Sequence, residues 1–183
     1  MYSDLLSVLY RMFDAHPIIV HFPIALLVMY ALFELCSPWL KQWESSFAVT
    51  KYTFLFLGTI ASWVALATGD IAEEQFQESR LVEIHSVFAT STSIVFSLMA
   101  GVVLWKIIIQ PYLSRQKITQ LQSIQNFLGQ LTDWLDLRSM RIILSLLGLL
   151  LISMTGALGG AIVYGPDIDP FVSMVYKLIS SFL

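Results

Sequence analysis

Two of the three histidines in this 183-residue chain lie in one short segment, HPIIVHFP, at positions 16–23. His16 and His21 open an apolar run that continues to Leu40, and His85 opens a later apolar run. An ionisable residue inside such a run marks a functional site, and imidazole is a common ligand of metals and haem. Two histidines on facing helices can hold a b-type haem without covalent attachment. The histidines therefore predict a site for haem b.

The local sequence favours His21 and His85 as the two axial ligands. Pro17 suits the first position of a helix, which places His16 at the N-cap. Pro23 removes one backbone hydrogen bond and should leave extra room beside His21. Residues five apart on a regular helix diverge by about 140°, so His16 and His21 cannot both face one small ligand. We expect His16 to bond a propionate or to serve as an alternative ligand.

Small residues near the ends of two later apolar runs are the remaining candidates for the cofactor site. Packed helices lie only about 8–10 Å apart, so a flat macrocycle needs backbone without side chains beside it. The same glycines could instead form a ridge for helix packing. The candidates are Gly69, Thr155, Gly156, Gly159 and Gly160.

Other functions stay open at this stage. Three imidazoles would also suit copper or zinc. A non-redox assembly or scaffold subunit would use the same polar residues for packing. A triad of Ser86, His85 and Asp70 lacks the sequence signature of a nucleophile elbow, so we assign no catalytic residue and expect an electron-transfer or accessory subunit.

The composition predicts an integral membrane protein with one domain. Hydrophobic residues make up 57% of the chain, charged residues 13%, and the mean hydropathy is +0.75. The single cysteine, Cys36, excludes an intrachain disulfide and covalent haem attachment through a C-x-x-C-H motif. A net charge of −3 without a large basic patch excludes nucleic acid as a partner.

Apolar runs and helical periodicity predict an all-α, polytopic four-helix bundle whose partner is the lipid bilayer. The expected spans are residues 17–39, 49–68, 84–109 and 141–164. The expected amphipathic helices on the membrane surface are residues 1–15, 113–137 and 170–183. We identify no internal repeat.

The basic residues predict how the bundle is oriented. Seven of the ten lysines and arginines flank the loops between spans one and two and between spans three and four, which the positive-inside rule places in the cytoplasm. Both termini and all three histidines then lie toward the extracytoplasmic side of the plasma membrane, where electrons would pass to a partner subunit of a respiratory or photosynthetic complex, or to a quinone. Glu34 falls near the inner end, and we expect it to snorkel without a role. The seven are Lys41, Lys51, Lys106, Arg115, Lys117, Arg138 and Arg141.

The segments HPIIVHFPIALL, ATGD, the lone histidine that opens span three, and TGALGG ahead of VYG together resemble one protein family. That family comprises four-helix bacterial membrane proteins of unknown function typified by the motif HPxxVHFP. The resemblance covers roughly residues 15–165. It implies the four-helix fold and the positions of the motifs, and it implies no activity.

Overall fold

The computed structural model describes the backbone of residues 2–73, 80–116 and 122–181, and the side chains of residues 16–70, 80–115 and 122–181. A short 3-10 helix, Lys41–Trp43, precedes the second long helix, and a π-helical turn, Trp105–Ile109, extends the third. The helices are α1 (Tyr2–Cys36), α2 (Glu44–Glu73), α3 (Arg80–Leu104), α4 (Gln110–Gln116), α5 (Gln122–Leu135), α6 (Arg138–Tyr164) and α7 (Pro170–Ser180).

Within the described residues, four helices are long and apolar enough to cross a membrane, which confirms the all-α, polytopic fold. The candidate spans are His16–Cys36, Lys41–Asp70, Arg80–Arg115 and Arg138–Tyr164. Each matches one of the apolar runs in the sequence. Their outward-facing side chains are mostly large and hydrophobic, as expected where lipid replaces water.

The first helix differs from the prediction at its start. Helix α1 runs without a break through Pro17 and Pro23, so Pro17 is not its first residue and His16 is not its N-cap. A proline removes one backbone hydrogen bond, and the bonds on either side hold the helix together. The predicted surface helix of residues 1–15 is the start of α1. Its side chains lie outside those described, so its location on the membrane surface stays a prediction.

The four spans form a ring in which each helix packs against two neighbours. Helix α1 packs against α2 and α6, and α3 packs against α2 and α6, so α1 and α3 lie at opposite corners. The chain makes two antiparallel hairpins, α1–α2 and α3–α6. Helices α1 and α3 therefore run in the same direction, and a residue near the start of each lies at the same end of the bundle.

Interior residues recur in steps of four and three along every span, which is the pattern of helices packed nearly parallel. Contacts between helices define the first, fourth and sixth of six such layers, and the steps of three and four place the other layers between them. Along α1 the layers are 16, 20, 23, 27, 30 and 34, and along α3 they are 85, 89, 92, 96, 99 and 103. Along α2 they are 69, 65, 62, 58, 55 and 51, and along α6 they are 159, 155, 152, 148, 145 and 141.

The two hairpins repeat one pattern of large residues seated on glycines. Positions 16 and 27, 58 and 69, 85 and 96, and 148 and 159 are each eleven residues apart. In the first hairpin His16 lies against Gly69 and Leu27 against Gly58; in the second, His85 lies against Gly159 and Phe96 against Gly148. The bundle is thus a tandem pair of similar hairpins, related by an approximate two-fold axis along its length. The sequence alone did not reveal this repeat.

The helices outside the ring cover two of its surfaces. Helix α5 exposes Ile124, Phe127 and Trp134 along one side, which fits the amphipathic helix predicted for residues 113–137, although residues 117–121 lie outside the described part. Helix α7 buries Val172 and Val175 against α6. The predicted surface tail of residues 170–183 therefore packs on the bundle through one face, with residues 182–183 not described.

Candidate functional site

His16 projects from α1 toward α2 in the first layer of the bundle. Its Nδ1 lies 2.9 Å from Oγ1 of Thr68. Its ring also covers Gly69, where an added Cβ would lie 3.1 Å from Cε1 of the imidazole. Thr68 is buried, and its hydroxyl donates a hydrogen bond to the carbonyl of Ala65 at 2.9 Å. The ATG segment thus supplies both a hydrogen-bond acceptor and a recess for the ring.

His85 occupies the equivalent place in the second hairpin. Its Nδ1 lies 3.0 Å from the main-chain carbonyl oxygen of Thr155 on α6. Its ring covers Gly159, where an added Cβ would lie 3.2 Å from Cε1. The TGALG segment therefore supplies His85 with a hydrogen-bond acceptor and a recess for its ring, as ATG does for His16. The acceptor for His85 is a backbone carbonyl instead of a hydroxyl.

The hydrogen bond of His85 fixes its tautomer. A carbonyl only accepts, so the Nδ1–H of His85 donates to Thr155. Thr68 has one hydroxyl proton, and while that proton is donated to Ala65 the oxygen accepts from Nδ1–H of His16. In the neutral form, each Nε2 is then left with a lone pair. His16 and His85 are also close enough for the charge of one ring to act on the other. We call these two histidines, together with Thr68, Gly69, Thr155 and Gly159, the histidine layer.

The structure places His21 apart from the histidine layer. Its side chain is exposed, and its Nδ1 bonds the carbonyl of Pro17 one turn earlier in the same helix. The expected divergence of about 140° from His16 holds on the unbroken helix, but His16 is the residue that faces inward. The structure therefore places His16, and not His21, in the same layer as His85.

The other predicted site residues fall into two groups. Gly69 and Gly159 lie in the histidine layer, where the imidazole rings of His16 and His85 lie beside them. Thr155 contributes its carbonyl. Gly156 is exposed with nothing within 4 Å of an added Cβ, and Gly160 faces Val172 of α7 at 3.5 Å. These last two glycines do not line the interior beside the histidines.

A second polar cluster occupies the sixth layer, about 27 Å along the bundle at 1.5 Å per residue. Glu34 is fully buried, with Oε1 2.9 Å from Nζ of Lys51 and Oε2 3.1 Å from Nε of Arg141. The hydroxyl of Tyr30 donates to Oε1 at 3.3 Å. The expectation that Glu34 snorkels to the interface is wrong, because two cations from different helices neutralise it inside the bundle. We call Glu34, Lys51 and Arg141 the charged layer.

The charged layer continues into the junction between α5 and α6. Arg141 donates to the carbonyl and the carboxylate of Asp136 at 2.7 and 3.0 Å, and Lys106 lies 2.7 Å from the same carboxylate. Glu44 accepts from Arg138 and Arg141 at 3.2 and 3.4 Å. These bonds tie the end of α5 to the third and fourth spans, and the start of α2 to α6.

Two patterns in the sequence could have revealed the inward position of His16 and the repeat of the two hairpins. The buried positions of α1 step backward from Glu34 through Tyr30, Leu27 and Pro23 in threes and fours, and the same steps reach His16. The eleven-residue spacing of histidine and glycine was also visible. Because we predicted that the helix begins at Pro17, His16 fell outside the helix and was not counted among its interior positions.

Comparison with known proteins identifies a family and no activity. A family model described as "Predicted membrane protein (DUF2231)" matches residues 13–169. This match covers most of the chain and all four spans, so the chain belongs to that family. Neither the curated proteins nor the solved structures contain a match.

Proposed function

We propose that this member of the DUF2231 family of membrane proteins binds one haem b between His16 and His85 and carries electrons through it. The observation that carries the proposal is the shared geometry of the two imidazoles. Each donates Nδ1–H to a threonine oxygen on the neighbouring helix, and each keeps a lone pair on Nε2. Histidines that ligate metals commonly have this arrangement, because the outer hydrogen bond fixes the tautomer and the orientation of the ring.

The number of available ligands favours haem over a bare metal ion. Porphyrin supplies four nitrogens, so two imidazoles complete the coordination of haem iron. Zinc usually takes three or four protein ligands. Within the described ranges, no group of three or more histidine, cysteine, aspartate or glutamate residues is placed to hold a metal. Copper or zinc at His16 and His85 would therefore need further ligands from beyond the described residues.

The location of the histidine layer favours a carrier that exchanges electrons at one side of the membrane. The basic residues Lys51, Lys106 and Arg141 lie at or near the opposite end, which the positive-inside rule assigns to the cytoplasm. Both termini and the haem then lie toward the extracytoplasmic side of the plasma membrane. The electron partner there would be another subunit of a redox complex or a quinone.

The filled glycine recesses favour a second candidate function, that of a scaffold subunit. The rings of His16 and His85 lie within van der Waals reach of Gly69 and Gly159, so both residues also serve as packing groups. A scaffold would keep its histidines in these recesses permanently, whereas haem binding requires the two Nε2 atoms to face the iron.

An absorption spectrum of the purified protein tests these alternatives. After expression with a haem supply, we expect a Soret band that shifts on reduction with dithionite and a pyridine haemochrome typical of haem b. His16→Ala and His85→Ala should each lose the band, and His21→Ala should keep it. A colourless protein containing copper or zinc by elemental analysis would favour the metal alternative, and a colourless, metal-free protein would favour the scaffold. Full haem retention in either ligand variant would overturn the assigned pair.

A further inference from the structure

A small cavity lies beside the charged layer, where the chain leaves α1 and enters α2. Its polar walls are Ser37, Glu44 and Lys51, and its apolar walls are Phe33, Leu40 and Phe47. The space open to the centre of a water-sized sphere is about 20 Å³. About 10–15 Å³ of such space is enough for one water, so the cavity fits a single water and is too small for a phosphate group.

Ser37 brings an unpaired polar atom to this cavity. The residue is 4% exposed, and within the described residues its Oγ has no hydrogen-bond partner. Many hydroxyls of the spans bond a main-chain carbonyl three or four residues earlier, as Ser91 does with Val87 at 2.7 Å. Ser37 lies just past the end of α1, and among the described residues neither Phe33 nor Glu34 provides this acceptor. Buried polar atoms nearly always have a partner, often an ordered water, so this hydroxyl points to a ligand in the cavity.

Lys51 brings hydrogen-bond donors to the same cavity. Its side chain is 5% exposed, and its ammonium group has three N–H donors. Among the described residues, its ion pair is with Oε1 of Glu34 at 2.9 Å, and Nζ lies 5.1 Å from the centroid of the Tyr52 ring. One carboxylate oxygen and one ring do not satisfy three donors, and moving an ammonium group out of water is costly unless its donors are bonded. We therefore expect a further acceptor beside Nζ.

Glu44 is the polar wall that is partly exposed. Its carboxylate is about one-third exposed and accepts from Arg138 and Arg141 at 3.2 and 3.4 Å. A carboxylate beside the cavity disfavours an anion there, and the ammonium group of Lys51 disfavours a cation. The occupant that suits all three polar walls is small, uncharged and able both to donate and to accept, as water is.

We propose that one water is bound in this cavity, where it accepts from Nζ of Lys51 and donates to Oγ of Ser37 and to the carboxylate of Glu44. The water hydrates the ammonium group that neutralises Glu34, and so adds a ligand to the three side chains of the charged layer. It also connects the buried ion pair with the partly exposed Glu44. The site lies at the opposite end of the bundle from the histidine layer and does not depend on haem.

Thermal unfolding of the full chain in detergent distinguishes a bound water from an empty cavity by the sign of the change. Ser37→Val fills the space with methyl groups and displaces the water from Lys51, so we expect the midpoint to fall by about 2–4 °C. In an empty cavity the same variant would raise the midpoint, because it fills a void and removes an unpaired hydroxyl. Ser37→Ala leaves space for the water and removes one of its bonds, so it should lower the midpoint less. A rise in either variant would overturn the proposal.

The Lys51→Met background separates loss of the water from steric strain at position 37. Without the ammonium group the cavity loses the donor that holds the water, so Ser37→Val should lower the midpoint by less than half as much as it does in the wild type. A clash would lower the midpoint equally in both backgrounds, and that result would overturn the proposal. Ser46→Val, at an exposed position of α2, is the matched control for a branched side chain and should change the midpoint little.

A crystal structure of the full chain, grown with sodium bromide and at a resolution that shows ordered waters, tests the site directly. We expect a density peak within about 3.2 Å of both Oγ of Ser37 and Nζ of Lys51, without an anomalous bromide signal. The peak should disappear in Ser37→Val. A cavity without density in wild-type crystals would overturn the proposal. An anomalous peak, which would show an anion, or continuous density from a lipid headgroup would also overturn it.

Discussion

The two ends of the bundle share the same arrangement of helix positions, but the side chains at those positions are symmetric at one end and asymmetric at the other. In the histidine layer the hairpins contribute equally, with one imidazole, one threonine oxygen and one glycine each. In the charged layer the hairpins supply equivalent cations, Lys51 and Arg141, but only α1 supplies a carboxylate. The equivalent position of α3 is Val103, which is buried.

This difference indicates at which end of the bundle the two hairpins are more alike. A ligand held between two equivalent imidazoles favours equal contributions from both hairpins. A structural ion cluster has no such requirement, and Asp136 at the start of α6 compensates by binding Arg141 on its other side. The approximate two-fold axis is therefore best preserved at the end for which we propose a function.

Removal of Glu34 should have the largest effect on stability. Glu34→Ala leaves two buried cations without their shared carboxylate, which costs about 3–5 kcal/mol. Thermal unfolding in detergent should show a large fall in the midpoint. Glu44→Ala is the control, because Glu44 is about one-third exposed and should cost far less. Equal losses in the two variants would contradict a special role for the buried carboxylate.

The repeat itself can be tested by moving the carboxylate across the axis. The double variant Glu34→Ala/Val103→Glu places a carboxylate at the equivalent position of α3, beside α2 and α6. It should recover part of the stability lost in Glu34→Ala, as measured by the same unfolding midpoint. Val103→Glu alone should destabilise, because Glu34 already occupies both cations. A double variant that is no more stable than Glu34→Ala would contradict the proposed equivalence of positions 34 and 103.

Methyl groups added to the equivalent glycines of the fourth layer should have a more moderate effect, and a similar one in both hairpins. In Gly148→Ala the new Cβ would lie 2.6 Å from Cζ of the fully buried Phe96, and overpacking of this kind costs about 1–3 kcal/mol. In Gly58→Ala the new Cβ would lie 2.7 Å from Cδ2 and 2.8 Å from Cγ of Leu27, which is also fully buried. The helix propensity of alanine offsets about 1 kcal/mol in both. Unfolding midpoints should fall in both variants, whereas Gly101→Ala, with nothing within 4 Å of its new Cβ, should not lower the midpoint.

The smallest predicted effect concerns the two threonines of the histidine layer. Thr68→Val removes the acceptor for Nδ1–H of His16, which costs about 1 kcal/mol, and Thr68→Ser restores it. Thr155→Val should keep the bond to His85, because that acceptor is the backbone carbonyl. The haem spectrum and potential should therefore change in Thr68→Val and stay close to wild type in the other two. A larger change in Thr155→Val would contradict the assigned bonds.

The sequence predicted the fold better than the site. Continuous apolar runs locate membrane helices because lipid forces every backbone polar group to bond within its own segment. The register of α1 was lost because Pro17 suits both the start and the middle of a membrane helix. The partners of Glu34 could not be predicted, since Lys51 and Arg141 come from two other helices and the carboxylate and Arg141 are 107 residues apart. The repeat was missed because the two hairpins share spacing more than residue identity.

Leu27 and Phe96, each seated on its glycine, fill the fourth layer with hydrocarbon between the two polar clusters. Among the described residues this depth offers a crossing proton or ion no charged group, and only hydroxyls such as that of Thr59. Chemistry at a haem bound as we propose would therefore communicate with one side of the membrane only.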